Sequence, residues 1–353
     1  RVWGAAAFQR RRFHANGHQP RDVTFVMPDS FRAIIARQGA PAALETLPVA
    51  ELPASDVLIE VRHSSLNYKD GIALADPGKV VRRFPMVLGI DLAGVVVQSS
   101  SADFQPGQQV LVAGSGLSET RWGGFAELAR LPADCLIAMP TGLSPSDAMS
   151  IGTAGLTAML SLMALETHGL RPDSGPVLVT GACGGVGSLS IAILARAGFH
   201  VVAMTRRAQE ADYLKQLGAA EIVSPDGLVS PETKALQSQR WAGAIDTVGG
   251  SVLASLCSAL NEGASVAACG NAGGLMMHAS VLPFILRSVN LLGINSLFPS
   301  MDRRREAWTR LAATLPSSVL SAVTSHVPLD GLFASGKEIL AGRVRGRVVV
   351  DVH

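Results

Sequence analysis

The sequence predicts an α/β protein in which a doubly wound parallel sheet is inserted into a barrel-type β domain. Three observations carry this reading. Short β-rich segments separated by turn signals run to about Asp147. From about residue 148 the pattern changes to alternating helices and strands, which implies βαβ units and parallel pairing. The C-terminal run Arg347-Val348-Val349-Val350-Asp351-Val352 reads as a strand returning to the first unit.

Composition bounds the answer. The 353 residues suit two domains, at roughly 100–200 residues per domain. Hydrophobic residues make up 48% and charged residues 16%, so the chain can bury a sizeable core and is not disordered as a whole. A formal charge of +2 gives no ground for a nucleic-acid or membrane partner. Cys135, Cys183, Cys257 and Cys269 form no CxxC pair. They suit reduced thiols in a cytoplasmic protein better than a disulfide framework.

Residues 1–26 carry Arg1, Arg10, Arg11, Arg12 and Arg21 against the single acid Asp22. There is no apolar core for a secretory signal. The composition also fits a transit segment, but Met27-Pro28-Asp29-Ser30 followed by an apolar run reads as a natural start. Residues 1–30 are therefore taken as a disordered extension.

Val57, Ile59 and Val61 alternate as a half-buried strand should. The apolar run Val87 to Val97 is broken by Gly89 and Gly94, which suits one bent strand. Gly107 to Val112 reads as a turn and a further strand. The stretch Ala148 to Leu165 has no charge and approaches membrane-spanning length. Its serines, threonines and glycines favour a buried helix, which runs to about His168. Val177 to Thr180 is a buried strand, Val186 to Ala197 a helix with Gly198 after it, and His200 to Met204 the next strand.

Between the strand at Val177 and the helix at Val186 lies Gly181-Ala182-Cys183-Gly184-Gly185-Val186-Gly187. Glycines allow a tight turn and let the backbone approach a pyrophosphate, whose charge meets the free N–H groups of the helix start. Gly181, Cys183, Gly184, Gly185 and Val186 are thus candidate cofactor-binding residues. An NAD site places an acid about 20 residues further on, for the ribose 2′-hydroxyl. Here Met204 is followed by Thr205-Arg206-Arg207, with no acid before Glu210. A hydroxyl and two guanidinium groups suit a 2′-phosphate and hence NADPH. Thr247, after the strand Ala244 to Asp246, and Cys269-Gly270, after the following strand, also fall where ligands meet such sheets.

The sequence resembles the medium-chain dehydrogenase/reductase superfamily, within it the zinc-free quinone-oxidoreductase-like proteins, and most of all the bacterial acrylyl-CoA reductase group. The resemblance rests on Ser65-Leu66-Asn67-Tyr68-Lys69-Asp70, Phe84-Pro85-Met86, Gly89-Ile90-Asp91, Trp122-Gly123-Gly124 and Ile151-Gly152-Thr153-Ala154-Gly155. It rests also on the glycine loop, Trp241 to Gly249, Ala268-Cys269-Gly270, Ala272-Gly273-Gly274 and Pro283 to Arg287. It implies a GroES-like β-barrel-type substrate domain (31–150 and 291–353) with an inserted doubly wound parallel Rossmann domain (151–290). It also implies a homodimer formed through the cofactor domain's sheet edge. Thr153 and Arg347 match family positions near the cofactor.

No metal is expected. Relatives that hold zinc carry a GHE segment and a four-cysteine lobe, which are missing here, and neither the cysteines nor the eight histidines have the spacing of a closed tetrahedral site. The implied reaction is NADPH-dependent reduction of acrylyl-CoA to propionyl-CoA by hydride transfer to the β-carbon. Charge then develops on the thioester oxygen and needs a hydrogen-bond donor. Tyr68 is the candidate donor and a candidate cofactor contact. Asn67 is a candidate for orienting substrate or cofactor, and Asp91 reads as structural. Arg287, Arg303, Arg304, Arg305, Lys79, Arg82 and Arg83 are the local cations available to coenzyme A phosphates. An NADPH:quinone oxidoreductase is the alternative activity. A non-catalytic NADPH-binding protein is the third reading.

Overall fold

A computed structural model describes residues 27–229 and 234–353. The extension expected over 1–26 lies outside them. Ser30 already pairs with Pro48, as the first residue of the strand Ser30–Ala36, so ordered structure begins within the span assigned to that extension.

One sheet has six strands in the order Glu221–Val223, Val201–Met204, Val177–Val179, Trp241–Asp246, Leu260–Ala268, Asn290–Gly293. Every neighbouring pair is parallel. The chain starts at Val177–Val179 and winds outward first one way, then the other, so the order reverses between Val177–Val179 and Trp241–Asp246. Both faces are covered, which is why these strands read as unbroken apolar runs. Val177 and Val179 point into a core with Leu156, Leu189 and Ile193, whereas Leu178 points to the opposite face with Val252 and Leu256.

The second sheet is built from Thr324–Pro328, Arg347–Asp351, Val57–Leu66, Asp91–Ser99, Gln109–Ala113 and Ile137–Ala138, with Leu128–Leu131 also on Val57–Leu66. The C-terminal strand returns antiparallel to Val57–Leu66, with Val348 opposite Leu66. A small sheet of Ala43–Pro48, Ser30–Ala36 and Met86–Val87 completes the domain.

Two expectations change. The run from Val87 to Val97 is not one bent strand. Gly89 adopts φ +99° and ends Met86–Val87, and a new strand starts at Asp91. The domain boundary at 291 also moves. Asn290–Gly293 is the last strand of the parallel sheet, and the helices Met301–Thr314 and Ser317–Val323 send Ala307, Trp308, Leu311 and Leu320 into the core that both sheets share around the helix Pro145–Thr167. The chain re-enters the barrel sheet only at Thr324. Apolar periodicity shows that a helix has a buried face, not which sheet covers it.

The helix Pro145–Thr167 joins the two units. Ser144 caps it in a reciprocal pair with Asp147, and Gly152 kinks it with φ 49° and ψ −158°. By length and composition this helix could cross a membrane, but most of it is buried against both sheets, as a core helix would be.

Trp308 is fully buried in the core that the two sheets share. Trp308→Ala should cost about 3–5 kcal/mol in urea unfolding. A loss below about 1 kcal/mol, the value for a solvent-facing position, would place that helix outside the core.

Candidate functional site

The glycine loop turns where the backbone must approach its neighbours. Gly181 has φ +57°, and a Cβ there would lie 2.2 Å from Thr247 Oγ1. A Cβ on Gly187 would lie 2.3 Å from Gly181 O, so glycine lets the helix Gly185–Arg196 seat against the strand. Gly184 is the N-cap and offers no side-chain acceptor. The first-turn N–H groups have no intrahelical partner and favour an anion. Beside Gly184 a Cβ would meet only Gly181 O, at 3.4 Å. The loop is therefore an open cradle that fits the pyrophosphate of a dinucleotide.

Thr205, Arg206 and Arg207 follow the strand Val201–Met204 at its carboxyl end. Thr205 Oγ1 accepts from Arg207 N at 3.0 Å and lies 3.2 Å from Cys183 Sγ. Both Nη atoms of Arg207 donate to Val344 O at 3.2 Å. Arg206 is exposed.

Thr247 and Gly270 end the two neighbouring strands. Thr247 Oγ1 donates to Thr180 O at 3.0 Å, and a Cβ on Gly270 would lie 2.1 Å from Thr247 O. Asp246 lies beneath them, accepting from Thr180 Oγ1 at 2.6 Å and Gly249 N at 2.8 Å. Burial raises its carboxyl, and these donors oppose the shift. Cys269 Sγ donates to Asp246 O at 3.3 Å, and burial pushes its thiol up to about 12. Burial also raises Cys183. Both cysteines are therefore held as thiols, without the thiolate a nucleophile needs.

Asn67, Thr153 and Arg347 meet around Asp91. The Asp91 carboxylate accepts from Ser65 Oγ at 2.6 Å, Thr153 N at 2.8 Å and Asn67 Nδ2 at 2.9 Å, and from the Thr153 hydroxyl. Arg347 is buried. It donates to Asn67 Oδ1 at 3.0 Å, Ser65 Oγ at 2.9 Å and Ser150 O at 3.0 Å. A Cβ on Gly152 would fall 2.6 Å from Asp91 Oδ2 and 2.7 Å from Arg347 Nη2, so only glycine leaves room for this cluster. Arg347 Cδ would be 3.0 Å from a Cβ on Gly185, which sets the cluster directly beneath the cofactor helix. Asn67 and Arg347 thus spend their polar atoms on protein partners, as positioning groups do.

Tyr68 differs. It is the first residue of the helix Tyr68–Ala75, next to Asn67, and 42% exposed. The helix start is fixed by Asp70, which accepts from Asn67 N at 2.8 Å and Ile90 N at 3.0 Å. Lys69 pairs with Glu119. The other tyrosine, Tyr213, is buried and donates to Ser188 Oγ at 2.8 Å.

Of the candidate coenzyme A cations, two are engaged with backbone carbonyls, and Lys79 and Arg305 pair with Asp76 and Asp302 on the surface. Arg287 holds Ser258 O at 2.9 Å and Gln237 O at 2.7 Å. Arg304 is buried against Ala113 O and Leu297 O. Lys79, Arg82, Arg83, Arg303 and Arg305 remain on the surface side of the chain. Sequence reasoning passed over Ser65, Ser150 and Thr180, which build the site's floor, and Arg345, which pairs with Glu210 at 3.1 Å. Ser65 opens the segment that carries Asn67 and Tyr68 and could have been read with them; for the others no local signal exists, because each acts across a distance in sequence that a motif does not span.

Residues 53–141 match the alcohol dehydrogenase GroES-like domain, and residues 185–313 match the zinc-binding dehydrogenase family. Among the described residues no group of three or more His, Cys, Asp or Glu side chains could hold a metal ion, so the site does not fit the zinc of that second family's description. Acrylyl-CoA reductase AcuI of Ruegeria pomeroyi is 47% identical over 312 residues, spanning 88% of this chain and 94% of its own. Putative quinone oxidoreductase YhfP of Bacillus subtilis is 44% identical, spanning 92% of this chain and 100% of its own. The crystal structure of YhfP with NAD bound superposes with a TM-score of 0.88, covering 92% of this chain and 99% of that one at 43% identity. The yhdH oxidoreductase of Salmonella enterica, in complex with NADP, gives a TM-score of 0.88 and 45% identity over 92% of this chain and 100% of that one.

Burial and the neighbouring Asp91 charge raise Asp70 from 3.8 to about 7. Between about pH 4 and pH 7 the folded chain then keeps a proton that the unfolded chain has lost. Asp70 therefore favours folding most at the acid end of that window, and this advantage is gone above pH 7. Relative to Asp70→Asn, the native chain should gain urea stability on going from pH 8 to pH 5. An identical pH dependence in both proteins would mean that Asp70 stays ionised throughout.

Proposed function

The chain belongs to the medium-chain dehydrogenase/reductase superfamily, and from that premise we propose that it is an oxidoreductase that uses NADPH to reduce the activated C=C bond of a short 2-enoyl-CoA. The substrate of this reading is acrylyl-CoA and the product propionyl-CoA. The observation that carries it is the likeness to an acrylyl-CoA reductase at 47% identity over 94% of that protein's length. The geometry supports it through an open dinucleotide cradle and an exposed phenol next to Asn67, whose amide meets the Arg347 that lies under the cofactor helix.

When bound, NADPH supplies the hydride for the substrate's β-carbon. The N–H groups of Gly185 and Val186 would hold the pyrophosphate, and Gly181, Cys183 and Gly184, whose N–H closes the turn onto Gly181 O, shape the loop beneath it. Thr205, Arg206 and Arg207 receive the 2′-phosphate. Thr247, Cys269 and Gly270 bound the nicotinamide end of the cleft. Tyr68 donates to the thioester oxygen as charge develops there, or delivers the α-carbon proton. Asn67, Thr153 and Arg347 hold Tyr68's helix against the cofactor helix. The chemistry proceeds without a metal.

The resemblance to YhfP keeps NADPH:quinone reduction as the second reading. Initial rates of NADPH oxidation with acrylyl-CoA, crotonyl-CoA, benzoquinone and naphthoquinone separate the two. We expect kcat/KM for acrylyl-CoA to exceed that for either quinone at least tenfold. The reverse order would assign the quinone activity, and no oxidation with any of them would leave a binding protein.

A second copy of this chain is the partner of this reading. Asn290–Gly293 is an edge strand of the parallel sheet, and Leu275, Ile285, Leu286, Leu291 and Phe298 in and around it are exposed. Pairing two such edges would extend the sheet and cover these side chains. The cytoplasm, where thiols stay reduced, is the proposed location.

Tyr68→Phe keeps the ring and removes the donor. If the hydroxyl acts as general acid, kcat should fall roughly 10²–10⁴-fold, with KM little changed. A near-normal kcat where chemistry limits the rate would move the proton source to a water or the cofactor ribose.

A further inference from the structure

The last turn before the C-terminal strand contributes a wall to the cofactor cleft. Gly346 N donates to Cys183 O of the glycine loop at 2.9 Å. Two residues earlier, Val344 O receives both Nη atoms of Arg207. Gly346 has φ +64°, and a Cβ there would strike Val323 O at 2.1 Å, so the turn is pressed into place on both sides. Between these two anchors sits Arg345. Its guanidinium lies 4.7 Å over the Tyr213 ring and 3.1 Å from Glu210 Oε2.

The charges near the ribose end of the cradle can now be counted by identity. Arg206, Arg207 and Arg345 are positive, and Glu210 is negative. Glu210 is the first acid after the strand Val201–Met204, and its side chain is largely covered. The bonds from Gly346 N to Cys183 O and from Arg207 to Val344 O hold this turn, and Arg345 within it, against the loop. Glu210 ends the short turn Ala208–Glu210 that follows the strand, and its bare carboxylate would repel a 2′-phosphate held at Thr205–Arg207. Here the acid is already paired, and the paired cation comes from the other domain.

We propose that Arg345 is a cofactor-specificity residue: by neutralising Glu210 and stacking on Tyr213 it turns the ribose end of the cleft into a site for a 2′-phosphate. The inference rests on the NADPH reading and deepens it. It assigns part of the selectivity to the C-terminal turn rather than to Thr205, Arg206 and Arg207 alone. Tyr213 holds the guanidinium over its ring, where a cation is attracted without a carboxylate. Half of Arg345 remains open to solvent, so water moderates the pair with Glu210, and a modest effect is expected.

Calorimetric binding of 2′,5′-ADP and 5′-AMP to the full chain reads this without turnover. The native protein should bind 2′,5′-ADP more tightly than 5′-AMP. Arg345→Gln should weaken 2′,5′-ADP roughly three- to tenfold and leave 5′-AMP nearly unchanged, the scale of one partly screened charge contact. Arg345→Lys should keep most of the preference. Adding Glu210→Gln to Arg345→Gln should recover much of the loss, because the repelling charge is then gone. Equal weakening of both nucleotides would reduce Arg345 to a structural latch, and unchanged binding of 2′,5′-ADP by Arg345→Gln would overturn the inference while leaving the NADPH reading intact. Failure of the native chain to prefer 2′,5′-ADP would overturn that reading, and the inference with it.

Discussion

A carboxylate with no water around it must be surrounded by donors, and Asp91 meets that demand at the junction of the two domains. Its donors come from the strand Val57–Leu66, from Asn67 at the start of the helix Tyr68–Ala75 and from Thr153 beyond the kink of the long connecting helix. Removing one partner would leave a buried charge short of a hydrogen bond, which costs more than the bond contributes when made. The Ser65–Asn67 corner, Asp91 and the long helix at Thr153 are thus held in one arrangement. Arg347 adds the compensating charge, and burial lowers its guanidinium while the Asp91 and Asp70 charges raise it. The kink at Gly152 follows from the same cluster, since any side chain there would displace it.

This junction sets the geometry of the cleft. The cofactor helix sits directly above Arg347, and Tyr68 extends from the helix that Asn67 and Asp70 fix. The phenol of Tyr68 is therefore the solvent-facing part of an otherwise buried assembly. Groups that must meet a ligand lie at the carboxyl ends of parallel strands, and those that must hold position lie beneath them in the dry interior. Asp246 does for the strand ends what Asp91 does for the domain junction, taking donors from Thr180 and from the backbone of the following turn.

The C-terminal segment links the two regions. It leaves the last helix, bonds to the glycine loop through Gly346, and then enters the barrel sheet as Arg347–Asp351. A change in the cofactor loop would be felt at once in the strand that carries Arg347. Four consecutive residues, Val344 to Arg347, thus touch Arg207, the glycine loop and the Asp91 cluster in turn.

The sequence by itself determined what short-range physics can encode. Glycines between a buried strand and a helix announced the cradle, the missing acid after Met204 pointed to the 2′-phosphate, and alternating strands and helices dictated a parallel sheet. The motifs around Tyr68 and Thr153 were also readable, but not that Asn67 and Thr153 share one carboxylate. Tertiary structure decided that Arg347 is a buried strut, that Arg287 and Arg304 serve backbone carbonyls, and that the helices from Met301 to Val323 pack on the connecting helix in the core shared by both sheets. It also brought Arg345 to Glu210. The physical reason is that periodicity and turn chemistry act over a few residues, whereas the partner of a buried charge is chosen by whichever donor the fold carries to it.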